Sequence, residues 1–339
     1  MTLRIGPSRI GLAAYSFPWR CGFAGQGTDR VCANPLLAED LLSMAANHGL
    51  ATVELPLSML PNIEPSTLAA LRARATALGL MLVIDSAVID VPTLEKYIPA
   101  AAALGARVMR VMLSGILEGA RTTIPGGWEA HLNEMIARLR YLRPLAERHG
   151  IILAPENHQD ATSADLIRIC EEVGGDCIGV TLDAVNPLAV GEEPLAFARA
   201  LGSRIVDVHL KDYVIYPTAS GYRLVRCALG EGILDLPALF DLLAEVAPNA
   251  TCNIELAAIY ARHIRLLDDD WWEGFPPRDV REVIPALRLA LRNARPADED
   301  WRTPWERGMG PEALAEYEES QMEHSVAFLK QLATNRSRG

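Results

Sequence analysis

Side chains that can ligate a metal or move a proton stand at the ends of four successive apolar runs. These runs end in the segments PENH, TLDAVN, VHLKD and NIEL. Three carboxylates and an imidazole packed together without a cation would repel, and one carboxylate would have to protonate. A divalent ion removes that conflict, so the pattern predicts a site for one metal ion. Its expected ligands are Glu156, Asp183, His209 and Glu255.

The mixed oxygen and nitrogen ligand set suits hard or borderline divalent cations. It does not by itself choose among Mn²⁺, Mg²⁺, Co²⁺ and Zn²⁺, of which we expect Mn²⁺ first. A lone glutamate in a loop is more often a solvated charge, and a lone buried histidine more often a satisfied core group. Four such residues at matching positions of successive strands favour the metal site.

The elements that would position these side chains are short, nearly continuous apolar runs, as expected of strands buried on both faces. The eight runs are Arg9–Tyr15, Ala51–Leu55, Leu80–Ile84, Arg107–Leu113, Ile151–Ala154, Ile178–Leu182, Ile205–Leu210 and Thr251–Leu256. Helical patterns separate them, and four of these patterns end at a glycine, at 49, 79, 105 and 150.

Eight alternating strand and helix units predict an α/β fold, a closed (β/α)8 TIM barrel. An open doubly wound sheet is the alternative, but no glycine-rich nucleotide loop follows the first run. In a barrel the carboxyl ends of the strands converge on one face, where catalytic residues lie. The four expected ligands would therefore meet there.

Three segments exceed a minimal barrel. The loops after the first and seventh strands are long, at Ser16–Asn34 and Lys211–Leu229. We predict a barrel core over residues 1–258 and a C-terminal extension over 259–339. The extension is rich in tryptophan and closes with a helix over Pro311–Leu332 that we expect to pack on the barrel.

The composition of the chain limits which kinds of binding partner are expected. The net charge of −11 and the pI of about 5.2 disfavour nucleic acid as a partner. Six scattered cysteines without a CxxC pair argue against a thiolate metal site and a disulfide-rich domain, so we expect a reducing cytoplasmic location. Neither a signal peptide nor an apolar run of membrane length is evident. A homo-oligomer is an open alternative, with the tryptophan-rich tail as an interface.

Five short motifs of the chain resemble those of a known family. They are ENH at 156–158, DAVN at 183–186, HLKD at 209–212, GEG at 230–232 and NIEL at 253–256. Over roughly residues 8–258 the chain resembles the xylose isomerase-like barrels, also described as sugar phosphate isomerases/epimerases. That group includes ketose 3-epimerases, inosose dehydratases, hydroxypyruvate isomerases and endonuclease IV. The resemblance implies that the same four residues hold one metal, and that Glu54 faces the substrate.

In the epimerases of that group, the metal grips two adjacent oxygens of an α-hydroxyketone and acidifies the neighbouring C–H. The resemblance gives Glu156 and Glu255 the roles of catalytic acid and base on opposite faces of an enediolate. His158 is expected to move a proton or to bind a hydroxyl. Lys211 and Asn186 are expected to bind substrate.

Residues of the long loops complete the expected substrate site. Trp19 could stack on a sugar and Arg223 could meet an anionic group. Trp271, Trp272 and Arg226 are weaker candidates of the same kind. The alternative for the tryptophans is packing against the barrel rim, and for Lys211 it is a surface position.

The expected function is therefore a metal-dependent isomerase or epimerase of a small ketose or related hydroxy-keto carbohydrate. The first alternative is a lyase on the same metal site, such as a 3-keto sugar acid decarboxylase, a dehydratase or a C-glycoside-cleaving subunit. Endonuclease IV-like repair is remote, because Asn186, Glu54 and Asp85 stand where histidines would be needed. A non-enzymatic sugar-binding role is disfavoured, since all four ligands are present.

Overall fold

Parallel strands with apolar side chains on both faces form the centre of the molecule. The computed structural model describes residues 2–257 and 259–336, so residues 1, 258 and 337–339 of the two predicted segments lie outside the described residues. The strands within these ranges are β1 Arg4–Ile5, β2 Ser8–Ala13, β3 Thr52–Pro56, β4 Met81–Val88, β5 Val108–Met112, β6 Ile152–Glu156, β7 Val180–Asp183, β8 Ile205–Leu210, β9 Tyr213–Thr218, β10 Gly221–Arg226, β11 Thr251–Ile254 and β12 Arg262–Ile264.

The α-helices follow the strands in alternation. They are α1 Ala38–His48, α2 Pro65–Ala77, α3 Val91–Ala103, α4 Trp128–His149, α5 Ser163–Val173, α6 Pro194–Leu201, α7 Leu236–Val246, α8 Asp269–Trp272, α9 Val280–Arg292 and α10 Pro311–Arg336. Short 3₁₀ turns lie at Ala14–Ser16, Leu57–Met59, Arg121–Thr123, Asn186–Val190 and Gly202–Arg204.

Eight of the strands close into a parallel barrel in the order β2-β3-β4-β5-β6-β7-β8-β11, with β11 pairing back to β2. This confirms the predicted TIM barrel. The predicted run Ile205–Leu210 has the same bounds as β8. The strand β6 extends two residues beyond its predicted end, because pairing with β5 continues from Val108↔Ile152 to Met112↔Glu156. Hydrogen bonding, rather than apolar character, thus sets where this strand ends.

Glycines end two of the helices as predicted. Gly49 follows α1 with φ of 73° and Gly150 follows α4 with φ of 65°, and both are left-handed. Such a conformation favours glycine because it lacks a Cβ. Each glycine turns the chain directly into the next barrel strand.

The long loop after β8 contains regular secondary structure of its own. It contains the antiparallel hairpin of β9 and β10, and β12 adds a third strand through Leu224↔Arg262. We call β9, β10 and β12 the mouth sheet. Its β12 strand lies in the C-terminal extension, so no pattern local to the loop could predict the pairing.

The C-terminal helix α10 packs beside both long loops. The Glu318 carboxylate accepts hydrogen bonds from the backbone N–H groups of Trp19, at 2.8 Å, and Arg20, at 3.0 Å. Arg226, the last residue of β10, donates from Nε to Gln321 at 2.5 Å. The extension therefore fastens the long loops at the carboxyl end of the barrel. In the described part of the chain, no helix has the length and apolar character needed to cross a membrane.

Candidate metal centre

The four predicted ligands lie at the carboxyl ends of four adjacent barrel strands. Glu156 and Asp183 are the last residues of β6 and β7, and His209 is paired in register with Asp183 on β8. Glu255 directly follows β11. All four side chains are buried, with exposures of 0 to 4%. Barrel closure brings together residues that are up to 99 positions apart in the sequence.

Their polar atoms converge on a small volume. His209 Nδ1 lies 3.2 Å from Glu156 Oε1 and 4.0 Å from Glu255 Oε2. Ligand atoms of Glu156, Asp183 and His209 all lie within 4.8 Å of one another. Lys211 hydrogen-bonds Asp183 Oδ2, and its Nζ lies 2.6 Å from Glu255 Oε2. Lys211 thus links two of the predicted ligands, Asp183 and Glu255.

Negative charge exceeds positive charge in this buried network. Three cations, Arg110, Lys211 and protonated His209, face six carboxylates. The carboxylates are those of Glu54, Asp85, Glu156, Asp183, Asp207 and Glu255. Burial raises the pKa of Asp183 and of Asp207 to about 7, and that of Asp85 to about 6. The protein alone therefore cannot keep all six ionised at neutral pH.

The residues fit a divalent cation. Asp183 Oδ1 is buried and has no hydrogen-bond partner among the described residues. An oxygen of this kind is costly to bury unless something compensates it. Three carboxylates and an imidazole nitrogen are donors that Mn²⁺, Mg²⁺, Co²⁺ or Zn²⁺ accept. A divalent cation that replaced the His209 proton would reduce the excess negative charge from three to two.

Arg110, which the sequence analysis did not single out, contacts one ligand. Its guanidinium pairs with Glu156 Oε2 and lies 2.5 Å from Asp85 Oδ1. Burial alone would raise the pKa of Glu156, but Arg110 and His209 hold it well below its usual range. Glu156 is therefore ionised and ready to act as a ligand. An arginine within the apolar run RVMRVML was the signal in the sequence.

His209 uses its second nitrogen as well. Nε2 lies 3.0 Å from both Glu54 oxygens and 3.8 Å from Asp207 Oδ2. Asn253 donates to Glu54 at 3.2 Å and to Asp207 at 3.1 Å. Glu54, which the resemblance implies faces the substrate, contacts the imidazole in this structure, and its substrate role stays a prediction. Asp207 was not among the expected site residues. It stands two residues before His209, which puts both side chains on one face of the strand.

His158 and Asn186 lie beside the ligands. His158 Nδ1 is buried without a hydrogen-bond partner among the described residues, and burial lowers its pKa to about 4. It is therefore neutral at pH 7 and can share a hydrogen bond with a hydroxyl. Asn186 donates to the His158 carbonyl oxygen. Its contact thus fixes the backbone of His158.

The structure places Trp19 and Arg223 apart from this cluster. Trp19 is buried, and its indole Nε1 donates to the Arg30 carbonyl at 2.6 Å. Arg223 points to the outer face of the mouth sheet, where its guanidinium lies 4.3 Å from the centre of the Trp301 ring. Both side chains pack the rim in this conformation, so their substrate roles stay predictions.

The other tryptophan and arginine candidates also serve packing. Trp271 and Trp272 meet edge to face, with ring centres 4.7 Å apart. Trp271 donates to the Glu118 carbonyl at 2.9 Å. The guanidinium of Arg226 lies 5.3 Å from the centre of the Tyr317 ring, which belongs to α10.

Comparison with known proteins adds to this geometry. Residues 42–270 match the family model described as xylose isomerase-like TIM barrel. The 3-oxo-isoapionate decarboxylase of Pectobacterium atrosepticum is 28% identical over 249 residues, which cover 73% of this chain and 84% of that protein.

Two solved structures share the fold. An L-ribulose 3-epimerase has a TM-score of 0.57 and 18% identity, covering 98% of this chain and 96% of its own. A xylose isomerase-like TIM barrel protein from Mycobacterium smegmatis in complex with magnesium has a TM-score of 0.58 and 15% identity. It covers 86% of this chain and 100% of its own.

Proposed function

Because the chain belongs to the xylose isomerase-like TIM barrel family, we propose that it is a divalent-metal-dependent enzyme that decarboxylates a 3-oxo sugar acid. The proposed metal dependence is supported by the excess of buried carboxylates around His209. The decarboxylase relative, which the chain covers over 84% of its length, supports the choice of reaction. The relatives of this family include epimerases as well, so the reaction needs its own test.

Glu156, Asp183, His209 and Glu255 would hold the metal. When bound, a divalent cation supplies Lewis acidity toward a substrate carbonyl oxygen. Lys211 adds positive charge beside Asp183 and Glu255 in the same cluster. Its buried ammonium group favours a substrate oxygen that gains negative charge during the reaction.

The reaction balances without a redox partner. The bond between the carboxylate carbon and C2 breaks, CO₂ leaves, and the electron pair moves toward the C3 carbonyl oxygen. A proton from water then replaces the carboxylate at C2, so the products are CO₂ and a ketose. His158, neutral and with no partner for Nδ1 among the described residues, would hydrogen-bond a substrate hydroxyl.

Epimerisation, the function expected first from the sequence, stays a second candidate. Glu156 and Glu255 come from different strands and both approach His209 Nδ1. Two carboxylates across one substrate can remove and return a proton on opposite faces. The same cluster thus suits either reaction.

Turnover in D₂O separates the two reactions. We expect a panel of 3-oxo sugar acids to contain a substrate that releases CO₂ and gains one deuterium at C2. The assays are CO₂ capture and NMR of the product. Deuterium exchange into ketoses without CO₂ release from any acid would reject decarboxylation in favour of epimerisation.

The metal assignment is tested at Asp183. We expect Asp183→Asn to lose bound metal and to lower kcat/KM at least about 100-fold, since a charged ligand is removed. Elemental analysis of the purified protein and steady-state kinetics measure this. Glu134→Gln, on the exposed face of α4, is the control and should leave both unchanged. Full metal content in Asp183→Asn would show that the site is assigned wrongly.

A further inference from the structure

The inner face of the mouth sheet covers the open end of the barrel. Its buried side chains are Tyr213, Ile215, Tyr222, Leu224, Arg226, Arg262 and Ile264. Tyr222 donates from its hydroxyl to the Leu188 carbonyl at 2.6 Å, in the turn after β7. Arg226 reaches the Ser16 carbonyl at 3.3 Å, after β2. This face is therefore turned toward the loops that surround the metal centre.

Arg262 differs from the other buried arginines on this side of the barrel. It is 9% exposed, and its Nε and Nη1 atoms are buried with no hydrogen-bond partner among the described residues. Arg110 pairs with Asp85 and Glu156, and Arg226 donates to Gln321. The Arg262 side chain makes neither a hydrogen bond nor an ion pair within the described chain, and its guanidinium lies 4.2 Å from the centre of the Tyr260 ring. An unpaired buried guanidinium is costly unless a ligand completes it.

A second donor without a partner in the described chain belongs to the same inner face of the mouth sheet. The Tyr213 hydroxyl is buried and has no partner among the described residues. Its pKa is raised to about 12 by burial, and the charges of Lys211, Asp183 and Arg262 act on it. The hydroxyl is thus protonated at neutral pH and can donate. Tyr213 and Arg262 are thus two buried donors of the mouth sheet that have no hydrogen-bond partner among the described residues, and the charge of Lys211 acts on the first of them.

We propose that Arg262 and Tyr213 form the subsite that binds the carboxylate of the substrate. A guanidinium offers two parallel N–H groups to a carboxylate, and the tyrosine adds a third donor. A sugar acid bound there would have its carboxylate held by Arg262 and Tyr213 and its carbonyl directed toward Lys211, whose charge acts on Tyr213. This assignment rests on the proposed function for the identity of the substrate, but the anion site itself can be tested separately.

Binding of a stable sugar acid tests the subsite without turnover. The probes are D-gluconate and the uncharged D-glucitol, titrated by calorimetry against the EDTA-treated and the Mn²⁺-loaded protein. We expect Arg262→Met to weaken gluconate binding about 10- to 100-fold and to leave glucitol unchanged, as loss of a charged hydrogen-bonding pair predicts. Arg262→Lys should give an intermediate loss, because the ammonium keeps the charge without the paired N–H groups.

The matched control is Arg265→Met, in the same segment. The Arg265 side chain is 44% exposed and pairs with Asp268 and Asp270 at the surface. The Arg265→Met variant should bind gluconate with the wild-type affinity. We expect Arg262→Met to fold as the wild type does, since it removes a buried charge that has no ion-pair partner in the described chain. Thermal melting checks this expectation.

Kinetics on the acid substrate give a second readout. The carboxylate loses its charge as CO₂ forms, so Arg262 holds the ground state more than the transition state. We expect Arg262→Met to raise KM about 10- to 100-fold with kcat unchanged or higher. A fall in kcat of about 10- to 100-fold with an unchanged KM would contradict the binding role of Arg262.

The two proposals fail separately. If the wild type releases no CO₂ but its gluconate binding depends on Arg262, the subsite stands and the reaction is wrong. If Arg262→Met decarboxylates with unchanged KM and binds gluconate normally, the subsite is wrong and the reaction stands. If Arg262→Met no longer binds inorganic phosphate but still binds gluconate, the assignment of the subsite to a carboxylate is overturned.

Discussion

At the residue scale, His209 is the centre on which the charged side chains converge. Nδ1 faces Glu156 and Glu255, while Nε2 faces Glu54 and Asp207. A metal-bound histidine commonly donates its other ring N–H to a carboxylate, which fixes its tautomer and orientation. We therefore expect Glu54 and Asp207 to orient the nitrogen that would bind the metal. The substrate-facing role that the family resemblance implies for Glu54 stays a prediction.

Glu54→Gln separates these two roles. If Glu54 orients His209, we expect the variant to bind Mn²⁺ about 10- to 100-fold more weakly, with an unchanged fold. Titration calorimetry of the metal-free protein and circular dichroism measure this. Glu64→Gln, an exposed glutamate before α2, serves as control. An increased KM with unchanged metal affinity would instead support the substrate-facing position.

At the element scale, the C-terminal helix α10 holds the long loop after β2. Glu318 is 2% exposed and accepts from two backbone N–H groups of that loop. The neighbouring Glu319 is half exposed and pairs with the Arg20 side chain at the surface. Two adjacent glutamates thus make contacts of very different energetic weight, because buried donors cannot turn to water when their acceptor is lost.

Glu318→Ala should therefore lower the free energy of unfolding by about 2–4 kcal/mol, since it leaves one buried and one partly buried N–H group without their acceptor. Glu319→Ala should change it by less than about 0.5 kcal/mol. Urea denaturation of both variants, followed by circular dichroism, measures the difference. Similar losses in the two variants would mean that α10 does not fasten the loop through Glu318.

At the scale of the whole molecule, barrel closure creates a concentrated negative charge that the protein's own cations do not balance. Asp183 and Asp207 have a pKa of about 7 and Asp85 has one of about 6, against a usual 3.8. A carboxyl group whose pKa is higher in the folded than in the unfolded state binds its proton more tightly when folded. Its contribution to stability is complete below pH 3.8 and is lost as the pH rises toward 7.

The metal-free protein should therefore lose stability between about pH 5 and pH 7.5 through these groups. We expect Mn²⁺ to raise its melting temperature by at least about 5 °C at pH 7.5, and by less at pH 5, where protons compete for the carboxylates. Thermal melting across this range, with EDTA and with Mn²⁺, makes the comparison. An equal effect of Mn²⁺ at both pH values would contradict the coupling of metal to these carboxyl groups.

The order of elements and the ligand set could be predicted from the sequence. Apolar runs, helix-ending glycines and strict alternation are local properties of the chain, and eight such units close in only one common way. Once the barrel is accepted, Glu156, Asp183, His209 and Glu255 must lie at one end of it. Their convergence follows from chain order, since parallel strands bring all their carboxyl ends to the same face.

Only the tertiary structure decided which groups surround that cluster. Arg262 reaches the barrel mouth because β12 pairs with β10, about 40 residues earlier, and such pairing has no local pattern. Alternation along β10 turns Arg223 outward and Arg226 inward. Glu54 meets His209 across the barrel, a contact set by closure rather than by neighbouring residues. The sequence by itself determined the four expected ligands and the end of the barrel where they meet, and the packing of distant segments determined what a substrate would encounter there.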